Sequence, residues 1–237
     1  MLLPSLTAIK AEQARRSFYR FVKQAWSVVE PAQPLLDGWH VEAMCDHLQA
    51  VKEGHIRKLL INIPPGHAKS KIVSVCWPAW VWAAGRPSWR LLAGSYASEL
   101  AIRDSVGCRA LIESPWYQNN FAREWELSGD QNVKGYFTNT ATGARLAISV
   151  GGKATGFRGN CVMVDDPLNV IDAPSKLKRD EAIFWWDKAM SSRVNDLSRD
   201  AGFDRIGAVV PGGQVDRSLF EPGLREEEVH LPRHRPL

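Results

Sequence analysis

The sequence predicts an α/β fold, a mostly parallel sheet flanked by helices, and three observations carry that prediction. An apolar run, Leu59-Leu60-Ile61-Asn62-Ile63, reads as a buried strand and passes through Pro64-Pro65-Gly66-His67-Ala68 into Lys69-Ser70 and a helical pattern. Strand and helix patterns then alternate, as they do in parallel sheets with crossover helices. A second apolar run, Cys161-Val162-Met163-Val164, ends in Asp165-Asp166-Pro167. Unbroken apolar runs of this kind suit strands buried on both faces.

In chain order, residues 7–28 read as one amphipathic helix, with Phe18, Phe21, Val22 and Trp26 at spacings of three and four, stopped by Pro31 and Pro34. A second helix is expected from about Gly38 to Glu53, with Val41, Met44, Leu48 and Val51 on one face and Gly54 as its C-cap. Strand 58–63 and the loop follow, then a helix from Lys69 to Ala84, closed by Gly85-Arg86-Pro87. Residues 90–96 form a second strand and 97–114 a helix. Residues 119–144 are polar and turn-rich, and strands near 135–138 and 145–150 would pair as a hairpin on the edge of the sheet. Gly151 to Gly159 is a loop. Cys161–Val164 is a strand, Ser175–Val194 a helix packing through Ile183, Trp185, Trp186 and Met190, and 206–210 one more strand. This divides the chain into an N-terminal helical segment (1–56), an α/β core (57–210) and a tail (211–237) expected to be largely irregular.

At 237 residues the chain is long enough for one sizeable core. Hydrophobic content of 45% against 24% charged is that of a globular protein, and no apolar run approaches a membrane span. The first sixteen residues are too soon charged for a secretory signal. Cys45, Cys76, Cys108 and Cys161 are scattered, which predicts reduced core thiols and a cytoplasmic setting, and argues against zinc. The net charge of +4 permits an anionic partner without requiring one.

Strand, tight loop, Lys-Ser and helix is the layout of a phosphate-binding loop. In a nucleotide-binding loop opened by Pro65, the backbone N–H groups of Gly66-His67-Ala68-Lys69 and the helix start would face phosphates, Lys69 would reach the terminal ones, and the Ser70 hydroxyl could ligate Mg²⁺. The usual GxxxxGK[ST] pattern has glycine where Ile63 and Ala68 stand, so the loop alone fits a plain strand–turn–helix junction equally well. The acidic pair adds weight. It follows Lys69 by 96 residues, with βα units between, which would put loop and carboxylates at C-terminal strand ends of one sheet. Asp165 fits a Mg²⁺-shell role and Asp166 that of orienting the attacking water, although a solvated Asp-Asp turn reads the same alone. Arg158, in a glycine-rich loop, is a candidate transition-state cation; Arg103 and Arg109 suit a solvated helix face better. Trp39 could stack on a base, but core packing is the commoner fate of a tryptophan. His67 could touch phosphate or merely fill the turn.

The run Leu59–Ser70, ending PPGHAKS, resembles the modified phosphate loop of tailed-phage terminase large subunits, ATP-driven motors that package DNA into capsids. The similarity continues through GSYASELA (94–101), ESPWY (113–117), NTATGARLAISVGGKATGFRGN (139–160), VMVDDPL (162–168) and the helix from Trp185-Trp186 to Asp196, covering roughly residues 35–200. The resemblance implies an ASCE-type P-loop ATPase using ATP and Mg²⁺. Lys69 and Ser70 would lie on phosphate and metal, Asp165 on the metal shell, and Asp166 would be the catalytic carboxylate. It also implies double-stranded DNA, a small terminase subunit and a portal protein as partners, a homo-oligomeric ring, a phage or prophage origin, and work in the host cytoplasm.

Two features depart from the family. From about Gly202 the tail looks unlike it, and the nuclease half of full-length members is not expected here, nor is DNA cleavage. Two rivals stand beside the motor: another P-loop nucleic-acid translocase, which would need a second lobe, and a catalytically inactive remnant that binds nucleotide or only folds.

Overall fold

The structure, a computed structural model, describes residues 4–122, 124–152 and 156–194 and the backbone of 204–208 and 227–230. Three N-terminal helices, α1 (Leu6–Arg16), α2 (Phe18–Val29) and α3 (Trp39–Glu53), precede the first strand. The expected single helix over 7–28 is broken at Ser17. That residue is extended (φ −133°, ψ 118°), and its hydroxyl accepts from the Arg20 N–H, capping α2. α3 ends on Gly54 at φ 84°, the left-handed C-cap anticipated there.

Among the described residues, the sheet has eight strands in the order β3-β4-β5-β2-β6-β7-β1-β8. They are β1 (Lys58–Asn62), β2 (Arg90–Ser95), β3 (Leu127–Val133), β4 (Tyr136–Asn139), β5 (Ala144–Ser149), β6 (Cys161–Asp165), β7 (Asp204–Ala208) and β8 (Glu227–His230). β5, β2, β6, β7, β1 and β8 run parallel, and β4 and β3 extend the sheet antiparallel, so it is mixed. The expected hairpin is β4–β5, but β5 lies inside the sheet against β2, and the edge is the polar, half-exposed β3. Of the tail, 227–230 pairs with β1; the rest of 211–237, like Lys153–Thr155 and residues 209–210, lies outside the described residues.

Alternation along the strands divides the core. Leu59 and Ile61, Leu91 and Ala93, and Cys161 and Met163 face the layer holding α1–α3 and α4 (Trp77–Ala83). Leu92, Val162, Val164 and Ile148 face Trp185, Trp186 and Met190, on and just beyond α7 (Lys176–Trp185). α5 (Ser98–Glu113) and the short α6 (Pro115–Asn120) complete the α-helices among the described residues. The N-terminal helices therefore share one core with the sheet. α4 fastens them: Trp77 Nε1 donates to the Leu48 carbonyl at 2.8 Å and Trp80 Nε1 to Ala14 at 2.9 Å. Both indoles are fully buried.

The helix after the Ile63–Ser70 loop does not start as an α-helix. Residues Lys71–Cys76 form a wider π-helical segment that leads into α4. Pro78 explains the widening: it has no N–H for the Ser74 carbonyl four residues back, and its ring crowds that carbonyl. The buried Arg145 of β5 donates to the Ser74 carbonyl at 3.0 Å instead. All four cysteines are free and buried, as expected; burial pushes the Cys108 thiol up to about 11. Among the described residues, no helix is long and apolar enough to cross a membrane.

Candidate active site

The strand order explains how residues 96 apart meet. β1 delivers the loop Ile63–Ser70, β6 delivers Asp165-Asp166, and only β7 separates them. Both segments leave the C-terminal ends of parallel strands, where open α/β sheets hold ligands. Lys69 reaches across: its Nζ is 3.2 Å from Asp165 Oδ1 and hydrogen-bonds Asp166 Oδ1. Lys69 and Asp165 are buried, while the Asp166 side chain is about one-third exposed at 36%.

Backbone geometry holds this arrangement. Gly66 (φ 84°), Ala68 (φ 61°) and Asp166 (φ 47°) all lie in the left-handed region. Ala68 stands where the usual motif has glycine, and here it takes the conformation that glycine adopts most cheaply. Asp166 precedes Pro167, which disfavours the right-handed helical region for it. Its carbonyl accepts from the Tyr96 N–H at 3.0 Å, tying the acidic turn to the end of β2. His67 turns inward, with Nδ1 3.0 Å from the carbonyls of both Pro64 and Pro65.

Electrostatics couple the three charges. Burial pulls the Lys69 ammonium down, and the carboxylates of Asp165 and Asp166 outweigh it, so its pKa is raised. Burial raises that of Asp166, with Lys69 pulling against it and Asp165 reinforcing it. Asp165 Oδ1 is buried and, despite its ion-pair contact, has no aligned hydrogen-bond partner. It could accept from a metal-bound water. No group of three or more His, Cys, Asp or Glu side chains suited to a metal occurs among the described residues. Two carboxylates and a serine hydroxyl beside the Pro64–Lys69 loop nevertheless fit Mg²⁺, an ion that keeps several waters and relies on few protein oxygens.

A cleft of about 500 Å³ opens over the loop. Pro64 to Lys71 and Asp166 line one side, and Trp26, Gln33, Pro34, Leu35, Leu36 and His40 another. Among the proposed site residues, Pro65, Gly66, His67, Ala68, Lys69, Ser70 and Asp166 share this cleft, with Asp165 buried beneath it through Lys69. Trp39 does not line the cleft; its neighbour His40 does, and packs edge-on against His67 with ring centres 5.2 Å apart. α3 begins at Trp39, so successive residues point about 100° apart and only one can face the loop.

Arg158 does not line it either and borders a separate cavity. The arginine of the cleft is Arg103 on α5. Its Nε donates at 2.9 Å to the buried Asp104, whose pKa is raised by burial with Arg103 opposing. The Arg103 side chain is 56% exposed, in keeping with the solvated helix face expected for it, and it also borders the cleft, beside an Asp104 that lies on the inward face.

The described residues thus define an α/β protein with a cationic loop and paired carboxylates converging at the C-terminal edge of a mixed sheet. No protein-family model matches the chain, and no curated protein matches it.

Proposed function

We propose that this chain is the ATP-hydrolysing motor domain of a phage or prophage terminase large subunit, a P-loop ATPase that drives double-stranded DNA into capsids. The observation that carries the nucleotide-hydrolysing part is the convergence of Lys69, Asp165 and Asp166 across β7. The motor part rests on the resemblance of the segments between residues 35 and 200.

In this reading the triphosphate lies along Pro65–Ser70, with its base against Pro34-Leu35-Leu36 and His40. Lys69 exchanges its contact with Asp166 for the terminal phosphates. That exchange frees a carboxylate with a raised pKa to accept a proton from, or orient, the attacking water. Ser70 and Asp165 would hold Mg²⁺, which supplies charge neutralisation at the phosphates when bound. Arg103, held by Asp104, takes the transition-state role for which Arg158 was the first candidate. Double-stranded DNA, a small terminase subunit, a portal ring and a homo-oligomeric working state belong to the same proposal.

Phosphate release from ATP, measured with and without DNA for the parent chain and Asp166→Asn, tests it. Turnover in the parent that is lost in the variant, with binding of a fluorescent ATP analogue retained, is the expected result. A parent without turnover refutes the enzyme reading. Unchanged turnover in the variant refutes the site assignment.

A further inference from the structure

Among the described residues, α7 and the turns that follow it cover only part of one face of the sheet. Trp185, Trp186 and Met190 pack on Leu92, Ile148, Val162 and Val164. Further along the same face, the register aligns Leu92 with Leu146, Leu146 with Tyr136, and Ala144 with Thr138. These five residues, Leu92, Leu146, Tyr136, Ala144 and Thr138, floor a separate cavity of about 380 Å³. It lies near the N-terminal ends of β2 and β5, which begin at Arg90 and Ala144, away from the acidic pair at the C-terminal end of β6.

Its walls carry a distinct chemistry. Arg90 and Arg158 are both exposed and both line it, and among the described residues no carboxylate does. Arg90 Nε makes a long contact to the Thr142 carbonyl at 3.4 Å, and Arg158 has no hydrogen bond or ion pair among the described residues. Phe157 is 38% exposed and meets Tyr136 edge-to-face, ring centres 5.5 Å apart. Gly159 lets this loop come close: a Cβ there would lie 2.2 Å from Leu92 Cδ1 and 2.7 Å from the Arg90 carbonyl. The Phe157-Arg158 pair is thereby held against the start of β2 and borders the same cavity as Arg90.

We propose that this cavity binds the sugar–phosphate backbone of DNA, with Arg90 and Arg158 on phosphates and the Tyr136–Phe157 pair against the sugar or base. Two guanidiniums with no opposing acid select a polyanion, and exposed rings beside them add a surface that sugars and bases pack on but a simple anion does not. The inference deepens the motor reading by giving it a DNA surface. It stands apart from the nucleotide site, because binding can be measured without ATP.

The test is fluorescence anisotropy of the full chain with a labelled 30-base-pair duplex and a single strand of equal length, over a salt series and without nucleotide. Arg90→Ala with Arg158→Ala should weaken binding at least about tenfold at 0.1 M salt and flatten the log–log salt slope by about 2. Arg90→Lys with Arg158→Lys should keep most of the slope. Whichever probe shows the loss identifies the form of DNA held. The proposal is overturned if the alanine pair leaves the slope unchanged for both probes. It is also overturned if Lys176→Ala with Lys178→Ala, on exposed α7, costs as much.

Discussion

The two cavities handle positive charge in opposite ways. At the C-terminal edge of the sheet, Lys69 is buried and neutralised by two carboxylates, one of them strained. Near the N-terminal ends of β2 and β5, Arg90 and Arg158 stand exposed, with no carboxylate beside them among the described residues. A buried cation must be paired in the fold before any ligand arrives, so a ligand must displace an existing partner. An exposed one is already solvated and takes a ligand by exchanging water and counterions, which makes it salt-sensitive and sequence-indifferent. The first arrangement suits a site that discriminates and reacts; the second suits a surface that holds and releases.

The largest effect that would break this contrast is on catalysis. Asp166→Asn removes the proposed proton acceptor and should lower turnover by about 10²–10⁴-fold. The same substitution should alter stability with a defined sign. The folded-state pKa of Asp166 lies above its ordinary value of 3.8, mainly through burial. Between those two values the native state holds a proton that the unfolded state has released, so the residue's contribution falls as pH rises through that window. The asparagine variant should therefore gain on the parent as pH is raised from about 4 to neutrality. Urea unfolding at several pH values reads the difference, and a variant that instead loses stability relative to the parent over that range contradicts the assignment.

Lys69→Ala comes next. It strands two carboxylates, one of them buried, and should cost about 3 kcal/mol, the low end for a broken buried pair because Asp166 is partly exposed. Adding Asp166→Asn should restore part of that loss. Arg90→Ala, at an exposed site, should stay within about 0.5 kcal/mol of the parent. Equal losses at Lys69 and Arg90 in denaturant titrations would erase the distinction between the cavities.

A smaller effect separates the two aromatic residues that open α3. His40→Ala should weaken binding of a fluorescent ATP analogue by about fivefold, as expected for the loss of one ring contact of about 1 kcal/mol. Trp39→Ala should leave it within about twofold. The reverse order would return the base to Trp39.

These predictions draw on features that were legible in the sequence to different degrees. β1 and β6 were readable because both lie inside the sheet, and burial on two faces writes an unbroken apolar run. β3 and β8 were not: Leu127–Val133 is a polar edge, and Glu227–His230 shows neither an apolar run nor alternation. The break at Ser17 and the π-helical segment before Pro78 turn on one hydroxyl and one missing N–H, which hydrophobic periodicity does not register. Within the site, Lys69, Asp165 and Asp166 were readable because strand ends determine where such residues go. The arginines were not. Whether Arg103 or Arg158 enters the cleft depends on how far α5 and the Gly156–Gly159 loop reach past the strands, a tertiary distance that residue order does not encode.

The finest comparison lies inside the loop between β1 and Lys69, between the glycine it has and the one it lacks. Gly66 at φ 84° takes the left-handed conformation freely, while Ala68 at φ 61° takes it with a Cβ. That conformation costs an L-residue about 1–2 kcal/mol. Glycine would avoid the cost but lose about 0.5–1 kcal/mol more backbone entropy on folding. Ala68 packs its methyl partly against the core, and losing that contact removes a few tenths of a kcal/mol from the gain, since full burial of such a group is worth about 0.8. Ala68→Gly should therefore stabilise the chain by about 0.5 kcal/mol, read as a higher urea midpoint at unchanged m-value. A fall in midpoint would mean that the methyl contact outweighs the strain, and that alanine here is held by packing rather than tolerated by the loop.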